Sequence, residues 1–386
     1  MKWISFLLTC LFVSVSVSVS LAQEVVDFSI HQEFVNTRAL GMGNAFTAIA
    51  DDYSAIFYNP AALARRKDGQ FHLFLKGGGD TSYPSFVSDL TNASNSNNVQ
   101  AVFDLIEANY GNQYNARLSL GGVWVRPHWG IAVIPVDFSS DIGMHQFVGP
   151  QVNVNVRQDT TISYSYARDV KWLGEGHHLS VGITGKVINR IHFSDSVDAG
   201  TLASNSNFFD LKRATEGMTL DFDLGALYTP PIPEKGFLKW FQYVKPTFAF
   251  VIRNVGDYGY PVNLNLISEN SDKPPRLQRR IDLGSVWDLP DFWVFDPHFS
   301  FDIRDILHEN WDVKKGLHMG AEFFWKMASW WKGYWSAGIN QGYWTLGVGA
   351  KLALFQIDLA TWGEEVSTLS APKESRRVML ELSLDF

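Results

Sequence analysis

The sequence predicts an all-β chain: a transmembrane antiparallel β-barrel of about 14 strands, with an N-terminal, partly helical plug inside the lumen. Three observations carry the prediction. Two-residue alternation of apolar and polar side chains recurs along most of the chain, as a strand with one greasy and one wet face requires. Aromatic residues are abundant, with 14 Trp, 13 Tyr and 28 Phe, while mean hydropathy stays near zero at -0.06. Beyond residue 22 no uninterrupted apolar run reaches the roughly 18 residues that a spanning helix needs. A barrel meets all three, since lipid-facing residues alternate with polar lumen residues and aromatics ring both interfaces.

The alternation is clearest at the C-terminus. Val378, Leu380, Leu382, Leu384 and Phe386 are apolar, and the positions between them include Glu381, Ser383 and Asp385. The strand stops on Phe386. This ending resembles the terminal strand by which outer-membrane barrels are recognised by the barrel-assembly machinery, so Phe386, Leu384 and Leu382 are expected to form the insertion signal.

At the other end, Lys2 precedes an apolar stretch from Ile4 to Val19, and Ser20-Leu21-Ala22 offers small residues before Gln23. Residues 1–22 therefore read as a secretory signal peptide cleaved between Ala22 and Gln23. Residues 23–68 then form the plug, and 69–386 the barrel. The expected location is the bacterial outer membrane. Cys10, the one cysteine, falls in the signal, so the mature chain has no thiol, disulfide or Cys-based metal site. The formal charge of -8 argues against a nucleic-acid partner.

Strand candidates bounded by turn signals run over 69–77, 115–126, 128–139, 150–168, 178–193, 217–229, 245–254, 278–288, 295–304, 315–326, 332–341, 343–350, 353–363 and 376–386. An even count suits a single-chain bacterial barrel. If the first strand leaves the periplasm, the outer loops are 78–114, 140–149, 194–216, 255–277, 305–314, 342 and 364–375. The inner turns are 127, 169–177, 230–244, 289–294, 327–331 and 351–352. The first set is longer and rich in Asn, Ser and Asp, the asymmetry expected of such barrels. The exception is 230–244, where Phe237, Trp240, Phe241 and Tyr243 follow two prolines and read as a segment lying at the inner membrane surface. Charges on the non-lipid face, among them Asp221, Asp223, Arg253, Arg280, Asp302, Arg304, Glu322 and Glu381, are expected to point into the lumen. There they would pair with one another and with Arg38, Asp51 and Asp52 of the plug.

The stretch from Asn36 to Ala64, NTRALGMGNAFTAIADDYSAIFYNPAALA, does not read as strand. Small residues favour short, closely packed helical turns. Pro60 pushes Asn59 out of the helical region and suits the first turn of a following helix. About 45 residues of this composition cannot bury a core alone, but they could by docking on a lumen wall.

This stretch resembles the N-terminal hatch of the FadL-type outer-membrane transporters for long-chain fatty acids and other hydrophobic compounds, including the PorV-like barrels of secretion systems. The likeness covers about 30 residues. FadL proteins typically carry Asn-Pro-Ala-Gly, whereas here Ala62 follows Asn59-Pro60-Ala61. The resemblance implies a plugged barrel passing an apolar ligand, such as a long-chain fatty acid, that leaves sideways into the bilayer at a kinked third strand. Arg38, Asp51, Asp52, Asn59, Pro60 and Ala61 would belong to the plug and its ligand pathway. The PorV-like relatives imply another role, a scaffold or shuttle for secreted proteins.

Pro135 supplies a residue-level reason for a kink. It falls within the third candidate strand, where a missing N–H breaks the ladder, and backbone left unpaired at membrane depth must face protein or water. Equally, Pro135 could mark the end of that strand. Enzyme and cofactor motifs are lacking. Gly41-x-Gly43 has no third glycine, Gly77-Gly78-Gly79 has no Lys-Ser/Thr sequel, and neither Gly-x-Ser-x-Gly nor His-Glu-x-x-His occurs. His177-His178 suits a turn better than a metal site.

Overall fold

The computed structural model describes residues 28–96, 98–146, 149–204, 213–231, 235–268, 270–328 and 330–386. The signal-peptide expectation, with Ala22 and Gln23, lies outside them. Fourteen antiparallel strands close into one barrel, each pairing with its neighbours in sequence and the last with the first. They are β1 Gln70–Asp80, β2 Gln113–Arg126, β3 Trp129–Gln146, β4 Pro150–Val170, β5 His178–Asp198, β6 Thr215–Thr229, β7 Thr247–Arg253, β8 Arg280–Asp288, β9 Phe295–Ile306, β10 Leu317–Ala328, β11 Trp331–Asn340, β12 Tyr343–Leu352, β13 Phe355–Glu365 and β14 Glu374–Asp385. Closure abolishes exposed sheet edges, the condition for a sheet to cross a bilayer.

The alternation decides which face meets lipid. On β14, Leu380 and Leu382 are exposed while Glu381, Ser383 and Asp385 are buried against the lumen. Leu382 and Leu384 pair with Leu75 and Leu73 across the seam. Phe386 and Phe71 exchange backbone hydrogen bonds of 2.9 and 3.0 Å. The expected insertion-signal residues thus build the strand that closes the cylinder. Trp124, Trp172, Trp240, Trp293, Trp330 and Trp331 are all exposed near the short-turn end, forming the aromatic ring of a membrane interface. Within it, the turns Phe237–Trp240 and Phe241–Val244 pack Trp240 parallel to Trp287 at 6.0 Å. The expected interfacial segment occupies that place.

Two expectations about the long-loop end need correction. Residues 140–146 and 194–198 continue β3 and β5 instead of forming loops. Ser139-Ser140-Asp141 and Ser194-Asp195-Ser196 carry turn-forming side chains, yet the alternation persists beneath them. Ile142, Met144, Val152, Val154, Phe193 and Val197 form one buried cluster. That cluster is covered by helices α3 Tyr83–Asn95, α4 Val99–Ala108 and α5 Ala199–Ser204. The helices supply Phe86, Leu90, Val102, Ile106 and Leu202, and Phe86 stacks on Tyr114 at 4.3 Å. The loop after β1 is therefore a helical cap on the outer face of strands that rise beyond the lipid-facing belt.

Residues 28–69 run through the lumen from the long-loop end to the short-turn end. They contain α1 Thr37–Gly41, α2 Ala55–Tyr58 and a 3-10 turn Pro60–Arg65. Their apolar side chains, including Phe34, Phe46, Ile56, Tyr58 and Leu63, share a core with inward-facing Phe74, Val123, Val125, Ala132, Ile134 and Leu227 of the wall.

Candidate functional site

The plug is seated on glycines. The side chain of Asn36 caps α1, accepting from the Ala39 N–H at 3.0 Å, and α1 delivers Gly41 and Gly43 to the wall. A Cβ on Gly41 would stand 2.6 Å from the Cα of Gly347 in β12, and one on Gly320 in β10 would stand 2.7 Å from the Met42 carbonyl carbon. Gly43 has φ +65, and its N–H donates to Thr345 Oγ1 at 3.0 Å. Backbone thus lies on backbone, a contact any side chain would prevent.

A second seat receives Asn59, Pro60 and Ala61. Asn59 Oδ1 accepts from the Ala61 N–H at 3.1 Å, and its Nδ2 donates to the carbonyls of Thr47 at 3.0 Å and Ala226 at 3.3 Å. A Cβ on Gly182 would meet Ala61 N at 2.6 Å, and one on Gly225 would meet Pro60 Cδ at 2.9 Å. Asn-Pro-Ala is the shape that fits between β5 and β6.

Charge makes the remaining joints. Arg38 is clasped by three carboxylates: Asp51 at 2.6 Å, Asp52 at 2.9 Å and the fully buried Glu322 of β10 at 2.7 Å. Its guanidinium also lies over Phe324 at 4.5 Å and Phe46 at 4.9 Å. Thr37 and Tyr53 both donate to Glu381, at 2.7 and 2.9 Å. Glu33 meets Arg280 of β8 at 2.6 Å. Burial pushes the Glu33 carboxyl up, but Arg280, with Lys186 and Arg190 behind it, outweighs burial and holds it at about 2. The wall charges also pair laterally, as in Lys186–Asp223 at 2.8 Å and Arg190–Asp159 at 2.6 Å. The structure brings Arg38, Asp51 and Asp52 together as one joint and Asn59, Pro60 and Ala61 as another. The sequence reading did not find the glycine seats, because Gly182, Gly225, Gly320 and Gly347 come from four different strands.

The plug divides the free space. On the long-loop side a cavity of ≈ 690 Å³ is lined by His31, Glu33, Arg157, Arg190, His192 and Arg280 among others. On the short-turn side one of ≈ 650 Å³ is lined by Arg38, Tyr53, Phe324, Trp325, Tyr334 and Lys351 among others. Between them, under β3 to β5, a void of only ≈ 30 Å³ lies among apolar Phe34, Phe57, Ile134 and Ile188 and polar Thr161, Thr184, Lys186 and Asp223, among others. Phe34 and Phe57 stack across it at 3.8 Å.

Pro135 sits on the outer face of that void. Ile134 pairs with Thr161 and Asp137 with Asp159, so Pro135 and Val136 together oppose Thr160. Against β2, Val133 pairs with Gly122 and Val136 with Leu120, leaving Ile134 and Pro135 opposite Gly121. Pro135 is a bulge relative to both neighbours, one extra residue in one strand. Its carbonyl accepts from Thr160 Oγ1 at 2.9 Å and Gln158 Nε2 at 3.4 Å. Pairing resumes on either side, so the expected gap is here a closed bulge within β3 and not the end of that strand.

No family model and no curated protein matches the sequence. Solved structures similar to this chain include the Ralstonia pickettii toluene transporter TbuX, at 10% identity and TM-score 0.48, covering 92% of this chain and 99% of that chain. A Pseudomonas aeruginosa FadL homologue is similar at 10% identity and TM-score 0.44, with 94% and 99% covered. The CymD monoaromatic hydrocarbon channel gives 10%, 0.45, 92% and 98%. The likeness is one of fold.

Proposed function

We propose that this barrel, seated in the bacterial outer membrane, passes long-chain fatty acids or similar hydrophobic compounds by diffusion, with lateral exit into the bilayer at Pro135. The observation that carries the reading is the coincidence at β3. The one bulge that interrupts β3 against both neighbours lies over a small void in which Ile134, Phe34, Phe57 and Ile188 meet Thr161, Lys186 and Asp223. A local interruption of the wall beside stacked aromatic rings suits a hydrophobic compound leaving sideways, which a pore for polar solutes does not need. The plug blocks ions and water, Arg38, Asp51 and Asp52 with Asn59, Pro60 and Ala61 hold it in place, and no catalytic step is involved. Residues 1–22 would be removed on export, 23–68 form the plug, and 69–386 form the barrel, inserted by the assembly machinery through Phe386, Leu384 and Leu382. The test is expression in cells whose outer membrane lacks its own fatty-acid route. Uptake of a long-chain fatty acid without uptake of a sugar supports the reading, and sugar uptake alone overturns it.

A second reading, a scaffold or shuttle for secreted proteins, is favoured by one observation. Helices α3 to α5 form a folded cap on the outside of the wall, a surface that passage of a small molecule does not require. Affinity capture separates the two: a stoichiometric protein partner favours the scaffold, and co-purified fatty acid favours the conduit.

A further inference from the structure

The wall has a second irregularity, between β6 and β8. β7 is the shortest strand and pairs with β6 only from Leu224–Ile252 to Tyr228–Phe248. Above that level the place of a strand is taken by residues 254–268, which form no continuous ladder with β6: the backbone contacts are one isolated bridge, Met218–Val262, and the Val255 N–H donating to the Phe222 carbonyl at 2.9 Å.

Irregular backbone survives at membrane depth only where its polar groups find partners in the protein, and here they do. The N–H groups of Ile267 and Ser268 donate to the buried Glu216 carboxylate at 2.9 and 3.2 Å. Those of Asn254 and Gly256 donate to Asp223 and Asp221 at 2.8 Å each. Asn263 ties the loop to itself, its Oδ1 accepting from Asn265 N at 2.8 Å and its Nδ2 donating to Asn270 O at 3.1 Å.

The segment 258–268, YGYPVNLNLIS, carries no charge. Tyr258, Val262, Leu264, Leu266 and Ile267 are exposed, as are Leu220 and Phe222 on the lipid-facing row of β6, and the segment meets that row where Val262 bridges Met218 and the Tyr258 hydroxyl donates to the Leu220 carbonyl. Tyr260 points the other way. It is 1% exposed, packs with Ile188 and Leu277, and lies over Arg190 at 5.4 Å, a residue lining the 690 Å³ cavity. Its hydroxyl has no hydrogen-bond partner among the described residues, a cost that weakens its hold.

We infer that residues 254–268 are a membrane-embedded gate: their apolar rim contacts the acyl chains of the outer leaflet, and Tyr260 is the stopper between those chains and the outer cavity. The inference rests on the proposed passage of hydrophobic compounds. The cavity behind Tyr260 is polar and of mixed charge, lined by Glu33 and Glu309 as well as Arg157, Arg190 and Arg280, so a polar head would enter it while the apolar chain stays in lipid.

Cys10, within the proposed signal, is the one cysteine of the sequence, so introduced cysteines report alone once residues 1–22 are removed. In lipid vesicles, a fluorophore on Leu264→Cys should be quenched by acyl-brominated lipid to within about twofold of one on Leu220→Cys, while one on Ser88→Cys in α3 is not. Quenching of the Leu264→Cys label by aqueous iodide alone overturns the embedding. In cells, oxidising Met218→Cys/Val262→Cys to a disulfide should cut oleate uptake at least fivefold, with recovery on reduction. Equal uptake in oxidised and reduced forms overturns the gate and leaves the function standing. Absence of uptake in wild type and reduced protein overturns the function, and the gate with it.

Discussion

A Cβ on Gly41 of the plug would stand 2.6 Å from the Cα of Gly347 in β12, and one on Gly347 would stand 2.8 Å from the Cα of Gly41. Two glycines that face each other across the plug–wall boundary leave no room for a methyl group on either. Gly347→Ala should therefore destabilise the docked plug by about 1–3 kcal/mol, the usual cost of overpacking. The barrel should still assemble, because β12 keeps its ladders to β11 and β13. Planar-bilayer recordings should show intermittent ion conductance in the variant and none in wild type. A silent variant would mean that the glycine contact does not hold the plug.

Arg38 is the joint where removal of one side chain strands the most charge. Arg38→Gln leaves Glu322, buried at 0% exposure, without its cation. Breaking a buried pair costs roughly 3–5 kcal/mol through the uncompensated charge. The more exposed Asp51 adds little to that. The double variant Arg38→Gln/Glu322→Gln should recover much of the loss. Protease cleavage within residues 36–66 in detergent is the measurement: fast in the single variant, slow in the double. Equal rates in both would remove Glu322 from the account.

The strands were legible because most of them are wet on one face and greasy on the other. Leu220, Phe222 and Leu224 face lipid while Asp221 and Asp223 are buried in the lumen, and that contrast is local. The extensions of β3 and β5 were not, since Ser139-Ser140-Asp141 carries turn chemistry that masked Ile142 and Met144. Nor was the helical cap, although Phe86 with Leu90 and Val102 with Ile106 stand four apart, the spacing of one helix face. The Asn and Ser residues between them carry turn chemistry that masks the helical spacing. The lumen charges were read correctly from strand parity. Their pairing with one another and with Arg38 was legible too, but which wall carboxylate meets Arg38 was not, because Arg38 and Glu322 are joined only by barrel closure. The Asn59-Pro60-Ala61 motif was visible, but its two glycine seats lie on other strands, and its fit with Gly182 and Gly225 needs the fold.

Glu33 and Arg280 give the plug a defined response to acid. The Glu33 carboxyl is held at about 2, against an ordinary value of 4.5. A depressed carboxyl stabilises the folded form above its ordinary value, and that contribution fades as pH falls from about 4.5 and is gone below about 2. Between pH 7 and pH 5 the anchor should be unchanged. Between pH 4.5 and pH 2.5 a fluorophore on Ser29→Cys should become progressively more mobile. In Glu33→Gln the label should be equally mobile at pH 7 and pH 4, and a wild-type pH dependence there would assign the response to another group.

Pro135 offers the sharpest test of lateral exit. The inward-facing residues of β3 are Ala132 and Ile134 before the bulge, and Asp137 and Ser139 after it. Removing one residue at 135 restores strict alternation, Ile134 inward, Val136 outward and Asp137 inward, with every other side chain on its present face. The shortened strand can pair without interruption against both β2 and β4, so the deletion should fold at least as well as wild type. Barrel stability, read from the temperature at which heat-modified mobility in gels is lost, should stay level or rise. Fatty-acid uptake in cells should fall at least fivefold if compounds leave through the bulge. Pro135→Ala keeps the extra residue and should retain most of the uptake, so the pair separates the bulge from the proline. A deletion variant that takes up fatty acid as fast as wild type would rule out lateral exit at the bulge.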